Sequence, residues 1–462
     1  MTNAEAISRT HYWLFALPFV LAFIVWLGYP SFVGFILVNV LGYPVPSQAP
    51  SLIWSLPLMF FYTWYVFFAV GVGGLLVVAA WIWKQRPTPK TERVYPMVSF
   101  VVPAYNEEQN IMRCINSLFR CAIKYRGPSE IIVVDDGSTD NTYEVAWATI
   151  NSKQRELADI RAKVVRHMTN LGKAEAMRTG VNKAMGEYVA IVDADTIWDS
   201  TGLTELVDHM SATQSMALSG YIHPSDGLKE HNLFVVLQQL EYSQGLGILR
   251  RAEALGNAIT VVPGPMGLYR IETLRQLLND KQMKSVTEDL ELTLEMQKKR
   301  MKIGYNDNAR STTLAPTRLR DFWHQRIRWS IGWLHNQLEI HRDLLHDKRW
   351  LSLLLWYNLV LGFLGAVLEF IALLSIPVFL WFAPDRGLFI LNLIMFLLLV
   401  LAVGVIQQAL ALKFAYNHYD HKRLLWYTPL YYLLRLINVL AKFTTLVQYT
   451  LLGKKGTWHK QT

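Results

Sequence analysis

The sequence predicts an α/β domain set between groups of transmembrane helices, and three observations carry that prediction. Long stretches toward both ends are almost free of charge. Short β-branched runs alternate with polar helical patterns in the middle. Acidic residues stand where those runs stop. The chain has 462 residues, 52% hydrophobic and 18% charged, against a usual charged share of about 25%. No Asp, Glu, Lys or Arg lies between Thr10 and Trp83, and charges are sparse again from Leu351 to Leu412.

A bilayer core takes about 20 apolar residues per helix. The first apolar stretch therefore holds two spans, near 14–40 and 58–83, separated by the Pro- and Gly-containing loop 42–46. The first is long for a signal peptide and has no obvious small-x-small cleavage site, so it reads as an uncleaved anchor. Lys84, Arg86, Lys90 and Arg93 follow the second span, while the loop between the spans carries no charge. The positive-inside rule then puts the N-terminus and the central region in the cytoplasm. The net charge of +9 suits an anionic substrate or an anionic lipid surface and decides little alone.

From Pro96 the pattern changes. Met97–Val102 reads as a buried strand stopped by Pro103, and Asn106–Phe119 as a helix with Glu107 and Glu108 in its first turn. Ile131–Val134 reads as a second strand ended by Asp135, Asp136 and Gly137, with Ser138 or Thr139 capping the next helix. Val164 and Val165 mark a third strand and Glu187–Val192 a fourth. Such alternation predicts a mainly parallel sheet covered on both faces. Ligands bind such sheets outside the carboxyl ends of the strands, where Asp136, Asp193 and Asp195 fall. Cys114 and Cys121 share one helix face about 10 Å apart along the axis, too far for a disulfide. They read as buried thiols, in keeping with a reducing compartment.

Leu319–Leu345 predicts an amphipathic helix. Leu319, Trp323, Ile327, Ile331, Leu334 and Leu338 form its apolar stripe, and His324, Arg328, His335 and Arg342 lie opposite. Two placements fit, along a membrane interface or packed on its own domain. Further spans are expected near 352–374 and 387–411. Residues 424–452 are ambiguous, because Arg435 and Lys442 interrupt them and both flanks are basic, with Lys454, Lys455 and Lys460 after. Either that segment is bent or re-entrant, or it breaks the positive-inside rule.

The residues fit the handling of a sugar nucleotide. Asp136, beside Asp135 on the loop after the second strand, is placed to accept hydrogen bonds from base or ribose; the same four residues also read as a turn and helix cap. Asp193 and Asp195 lie two apart at a strand end and so face one way, an oxygen-rich pair suited to Mg²⁺ or Mn²⁺. Inverting glycosyl transfer needs one carboxylate to take the acceptor's proton, a role assigned to Asp289 with Glu288 in support. Two acids at a helix N-terminus are also favoured by its dipole. Gly264 and Gly267 permit close approach of a ligand to backbone. Gln325, Arg328 and Trp329 share one helical face, Arg328 for diphosphate oxygens and Trp329 for a sugar wall. Glu369, inside an apolar run, either lines a channel or pairs with Arg435 or Lys442.

In these four places, Val134–Ser138, Val192–Asp195, Thr287–Leu290 and Gln325–Trp329, the chain resembles the membrane-integrated family 2 glycosyltransferases. These include synthases of cellulose, hyaluronan, chitin-like oligomers and poly-N-acetylglucosamine. The resemblance covers residues 96 to 335 by motif. It implies a GT-A-like nucleotide-diphospho-sugar transferase domain inserted between transmembrane helices. Its divisions are 1–90 (two spans), 91–317 (cytoplasmic transferase domain), 318–350 (interface helix) and 351–462 (C-terminal bundle). It implies donor contacts from Tyr105, Asp135, Asp136, Lys173, Asp193, Gln325, Arg328 and Trp329. Gly264, Pro265 and Trp329 would meet the acceptor, and Asp193 and Asp195 the metal. The expected reaction is inverting, processive transfer of a hexosyl unit, N-acetylglucosaminyl or glucosyl, from a UDP-sugar to a growing β-linked polysaccharide. The product would be translocated across the plasma membrane in which the chain sits, among membrane lipids; no nucleic-acid partner is expected. The alternative is a single transfer to a membrane lipid. A third reading, a non-catalytic channel or scaffold, is disfavoured because every motif carboxylate is present.

Overall fold

The computed structural model describes residues 12–35, 39–40, 62–84, 95–157, 160–227, 232–383, 385–415 and 421–453. The loop 42–46, the basic residues Arg86, Lys90 and Arg93, and Lys454, Lys455 and Lys460 lie outside the described residues. The chain divides into two compact units. One comprises 1–85, 243–256 and 356–446, and the other 86–242, 257–355 and 447–462.

The second unit is α/β, built on one eight-stranded sheet. Its strands are β1 (Val98–Ala104), β2 (Ser129–Asp135), β3 (Arg161–Arg166), β4 (Tyr188–Ile191), β5 (Thr196–Trp198), β6 (Ala217–Ser225), β7 (Gly267–Arg270) and β8 (Ile303–Leu314). They lie in the order β3-β2-β1-β4-β7-β6-β8-β5. β1 and β2 are buried along their whole length, as near-continuous apolar strands covered on both faces must be. β3, at the edge, is exposed or half-buried throughout. The sheet is mixed where a mainly parallel one was expected. β3, β2, β1 and β4 run parallel, but β7 is antiparallel to both β4 and β6, and β5 is antiparallel to β8. The sequence pattern missed this half because β5 and β7 are very short and β8 is half polar.

Local boundaries also shift. The first helix of this unit is Ile111–Tyr125, starting later than Asn106 because Asn106 takes a left-handed φ of 53° and opens a turn. The next helix is Thr142–Glu156, capped neither by Ser138 nor by Thr139. Ser138 Oγ instead accepts from the Asn106 backbone N–H (3.0 Å), and Asp140 Oδ1 accepts from the Thr142 N–H (3.0 Å). Cys114 and Cys121 are free and buried, and burial pushes the Cys121 thiol up to about 12. Such thiols stay protonated and inert.

The expected long helix after β8 is real only as Leu319–His335. It passes into a π-helical turn, Asn336–Ile340, and then a 3₁₀ turn, Arg342–His346. Its stripe does not behave as one apolar face. Leu319 and Leu338 are exposed, while His335, assigned to the polar side, is buried.

Among the described residues, four helices are long and apolar enough to cross a membrane, most of their length in the first unit: Tyr62–Trp83, Trp350–Phe382, Arg386–Ala415 and Arg423–Leu452. A further helix, Tyr12–Phe35, packs against Tyr62–Trp83 through small residues. A Cβ on Gly74 would stand 2.8 Å from Pro18, and the Tyr62 hydroxyl donates to the Val25 carbonyl (2.7 Å). The ambiguous segment folds as a continuous α-helix, Thr428–Leu452. Its two cations are accommodated without a bend. Arg435 pairs with Glu369, and the Lys442 ammonium lies 5.9 Å from the Phe363 ring centroid.

Residues 243–256, read from sequence as part of the transferase region, fold with this apolar unit. Arg251 is fully buried there, donating to the Phe414 carbonyl and lying over the Trp83 and Phe414 rings. Gln408 donates to Ser243 Oγ (2.6 Å) and accepts from Gln244 (2.8 Å).

Candidate active site

The site is centred on Lys173, the first residue of the helix Lys173–Lys183. Its Nζ lies 2.7 Å from Asp193 Oδ1 and 2.7 Å from Glu288 Oε1. One cation therefore ties the end of β4 to the start of the helix Glu288–Lys298. Burial alone would lower this ammonium, but Asp193, Glu288 and Asp289 together hold it well above its ordinary value. Gly264 completes the cluster. A Cβ there would stand 2.7 Å from Lys173 Nζ and 2.8 Å from Asp193 Oδ1, so only glycine lets the backbone come this close. The next residue, Pro265, is fixed by its carbonyl, which accepts from the indole N–H of buried Trp198 (2.8 Å).

The carboxylates differ by environment. Burial, then Asp193, push Asp195 up to about 7, although Thr196 and Thr313 hydroxyls donate to its Oδ1 at 3.1 and 3.2 Å. Burial, then Glu288, push Asp289 up to about 6. Burial also acts upward on Glu288, but Lys173 outweighs it and brings that group below its usual value. Paired acids with values driven apart suit acid–base work. Tyr269, behind them, is buried and donates to the Val262 carbonyl (3.3 Å).

The Thr287–Asp289 turn is built by a carboxylate that sequence reasoning passed over. Glu291 is fully buried, and its Oε2 accepts from the backbone N–H groups of Lys284 (2.8 Å) and Ser285 (2.7 Å). A helix N-terminus leaves such donors unpaired, and a glutamate inside the first turn was the available signal. Gly332 brings the helix Leu319–His335 onto this turn, since a Cβ there would run into the Thr287 side chain. Asn336 Nδ2 donates to Ser285 Oγ (2.9 Å).

Along that helix, Arg328 acts electrostatically on Glu288, and Gln325 Oε1 is buried without a hydrogen-bond partner among the described residues. Trp329 is aligned by Arg326, another residue the sequence left without a role. The Arg326 guanidinium lies 4.4 Å from the Trp329 ring centroid and 4.3 Å from that of Phe322, and 2.6 Å from Glu241 Oε2. Tyr105 is half-buried just past β1.

Asp135 and Asp136, expected at the donor, lie against neighbouring loops. Asp136 is 2% exposed, and its oxygens accept from the N–H groups of Leu171 (3.0 Å) and Gly172 (2.8 Å) and from His167 Nδ1 (2.7 Å). Asp135 is fully buried, its Oδ1 accepting from the Ser138 N–H (3.3 Å) and its Oδ2 3.2 Å from Arg166 Nε. The end of β2 thereby binds two neighbouring loops whose N–H groups have no strand partner.

Comparison with known proteins follows the same lines. Residues 99–278 match the family model described as glycosyl transferase family 2. The chain is 27% identical over 237 residues to a poly-β-1,6-N-acetyl-D-glucosamine synthase of Staphylococcus epidermidis, covering 51% of this chain and 54% of that one. It is 26% identical over 279 residues to the synthase of the same name from Staphylococcus aureus, covering 58% and 64%. The matched region thus spans between about half and just under two thirds of these relatives' length. A solved mannosyltransferase of Pyrobaculum calidifontis, in complex with GDP-Man and Mn²⁺, superimposes with a TM-score of 0.60 at 18% identity, over 87% of this chain and all of that one. That likeness establishes the shared fold.

Proposed function

We propose, from the premise that this chain carries a family 2 glycosyltransferase domain, that it is an inverting, processive synthase extending a β-linked polysaccharide from a UDP-sugar. The single observation behind the reading is the Lys173 cluster, in which Asp193 after β4 and Glu288 at the start of the following acid pair are drawn together around one cation. N-acetylglucosamine is the proposed sugar, because the curated relatives bear the names of its polymer's synthases.

Asp289 serves as base. Its value of about 6 leaves it ionised at neutral pH yet able to take a proton. The acceptor hydroxyl loses its proton to Asp289 as its oxygen bonds to the anomeric carbon. The bond from that carbon to the diphosphate breaks on the opposite face. Lys173 and Arg328 meet charge developing on the diphosphate. Gln325 and Trp329, held by Arg326, orient donor and acceptor, and Gly264 and Pro265 leave room for the acceptor's terminal sugar.

Asp193 and Asp195 are the residues that would hold Mg²⁺ or Mn²⁺. They fit as a hard oxygen pair, two residues apart at the end of β4, in which burial and then Asp193 push Asp195 up to about 7. Among the described residues no third acid, His or Cys joins them in a metal-holding group, so diphosphate oxygens and water would complete the shell. When bound, the ion supplies positive charge to the departing diphosphate.

The apolar helices support a multi-pass placement in the plasma membrane with the transferase domain on the cytoplasmic side. The test is to incubate the purified chain with radiolabelled UDP-N-acetylglucosamine and size the product. Long polymer supports the reading. A product of one sugar on a lipid replaces it with the lipid-acceptor alternative, and absence of UDP release from any UDP-sugar removes both.

A further inference from the structure

The Gly264–Pro265 loop and Asp289 come from separate stretches of chain, and one buried hydroxyl ties them together. Residues 258–263 lead into Gly264 and belong to neither helix nor strand, yet Ala258, Ile259 and Val262 are buried. Backbone groups of such a segment have no ladder to join and still need partners. The helix Glu288–Lys298 supplies them from two side chains one turn apart, Thr293 and Gln297, both fully buried. Thr293 Oγ1 accepts from the Val262 N–H (2.9 Å) and donates to the Asp289 carbonyl (2.7 Å). Gln297 Nε2 donates to the carbonyls of Asn257 (3.1 Å) and Ile259 (2.9 Å). A threonine hydroxyl bonded back to the carbonyl four residues earlier is ordinary in a helix. Its second bond, across to Val262, is one the helix itself does not require.

We infer that Thr293 and Gln297 are positioning residues that set the gap between Asp289 and the Gly264–Pro265 loop, and so decide whether the transferred sugar passes to the acceptor or to water. The inference rests on the synthase reading proposed above. The acceptor's terminal sugar must bring its hydroxyl to Asp289 while its ring meets the loop. Thr293 joins the backbone of the base residue to the backbone two residues before Gly264, so it holds both sides of that gap at once. A displacement of about 1 Å at a reacting centre costs about a hundredfold in rate. Water is small and needs no loop to seat it. Its oxygen bonds to the anomeric carbon, its proton goes to Asp289 and UDP leaves, giving free sugar in place of a longer chain. Loosening the tie therefore diverts sugar from polymer to water. Lys173 and Arg328, which meet the diphosphate, stand on other helices, so affinity for UDP should hold.

The experiment supplies radiolabelled UDP-N-acetylglucosamine and MnCl₂ to the full-length chain in detergent and counts label in polymer and in free N-acetylglucosamine. Thr293→Val keeps the shape of the side chain and removes the hydroxyl. It should lower the ratio of polymer to free sugar roughly tenfold or more, while the Kd for UDP, measured by calorimetry, stays within about twofold. Thr293→Ser keeps the hydroxyl and should recover most of the ratio. Gln297→Met cuts the contacts to Asn257 and Ile259; it should shift the ratio the same way, and it carries the test if the valine variant does not fold. A ratio that holds while both products fall together, UDP affinity lost by the same factor as polymer, or no recovery with serine overturns the positioning role. Hydrogen exchange of the Val262 amide gives a readout that needs no nucleotide. That amide should exchange at least about tenfold faster in Thr293→Val, and unchanged exchange refutes the tie. If the unaltered chain released no UDP from this donor, the synthase reading would fall and take the acceptor role with it, while the exchange result still judged the tie.

Discussion

Replacing Lys173 by methionine tests the ionic centre of the site most directly. Nζ stands 2.7 Å from an oxygen of Asp193 and 2.7 Å from one of Glu288. At an effective dielectric constant of about 20, each contact is worth roughly 6 kcal/mol before desolvation is counted. Removing one member of a buried pair costs about 3–5 kcal/mol net. The side chains of Lys173, Asp193 and Glu288 remain 24%, 25% and 13% exposed, so solvent screening favours the lower end, about 3 kcal/mol. At about 2–4 °C per kcal/mol, the unfolding midpoint should fall by roughly 6–12 °C. The pH dependence has a definite sign. Lys173 holds Glu288 below its usual value, and a depressed carboxylate contributes stability that is present above its unfolded value and lost as pH falls through the folded one. The gap between Lys173→Met and the unaltered chain should therefore be full near pH 8 and narrow below about pH 5. Thermal unfolding in detergent at a series of pH values provides the measurement. A gap under about 1 °C at pH 8, or one that widens on acidification, would refute the ionic account.

Asp289→Asn should bind UDP-sugar almost normally and lose about 10² to 10⁴ in transfer rate; a loss of donor affinity alone would move Asp289 into the nucleotide site. Because Asp289 works ionised and its value is about 6, kcat/KM of the unaltered chain should fall about tenfold per pH unit below that point. A flat profile from pH 5 to 8 would remove it as base. Asp195→Asn should bring UDP binding measured with MnCl₂ down to the level seen with EDTA, and retained manganese dependence counts against the metal pair. Gly264→Ala thrusts a methyl to within 2.7 Å of Lys173 Nζ and should cut turnover without abolishing folding, unlike the harmless change expected of a free loop. Glu369→Leu should destabilise the apolar unit by leaving Arg435 unpaired, and the added change Arg435→Leu should recover much of that loss; equal stability of the single and double variants would show the pair to be incidental.

The parallel half of the sheet was legible because β1 and β2 are largely apolar runs, the first stopped at Pro103 and the second at Asp135. The other half was hidden in short or polar strands whose pairing is decided by tertiary contact. Residues that share one stretch of chain, such as Asp193 with Asp195 and Gln325 with Arg328 and Trp329, are grouped by their spacing and take their expected roles from the family resemblance. The Lys173 bridge spans a separation that no periodicity encodes. The partners of Asp136 were hidden for a related reason. An acid at a strand end looks the same in sequence whether it meets a ligand or the N–H groups of a neighbouring loop, and only its burial distinguishes the two. Arg326 and Glu291 escaped notice because each stands beside a motif residue and works from beneath it.

The membership of residues 243–256 in the apolar unit sets a timetable for biosynthesis. Arg251 leaves the ribosome 163 residues before the Phe414 carbonyl that accepts its hydrogen bond. At about 5–20 residues per second, that is a wait of roughly ten to thirty seconds. Throughout it, the guanidinium, Ser243 and Gln244 lack their final partners, Gln408 among them. Nascent chains stalled before the Arg386–Ala415 helix has emerged should therefore remain open to protease around residues 243–256, and chains released after it should be resistant.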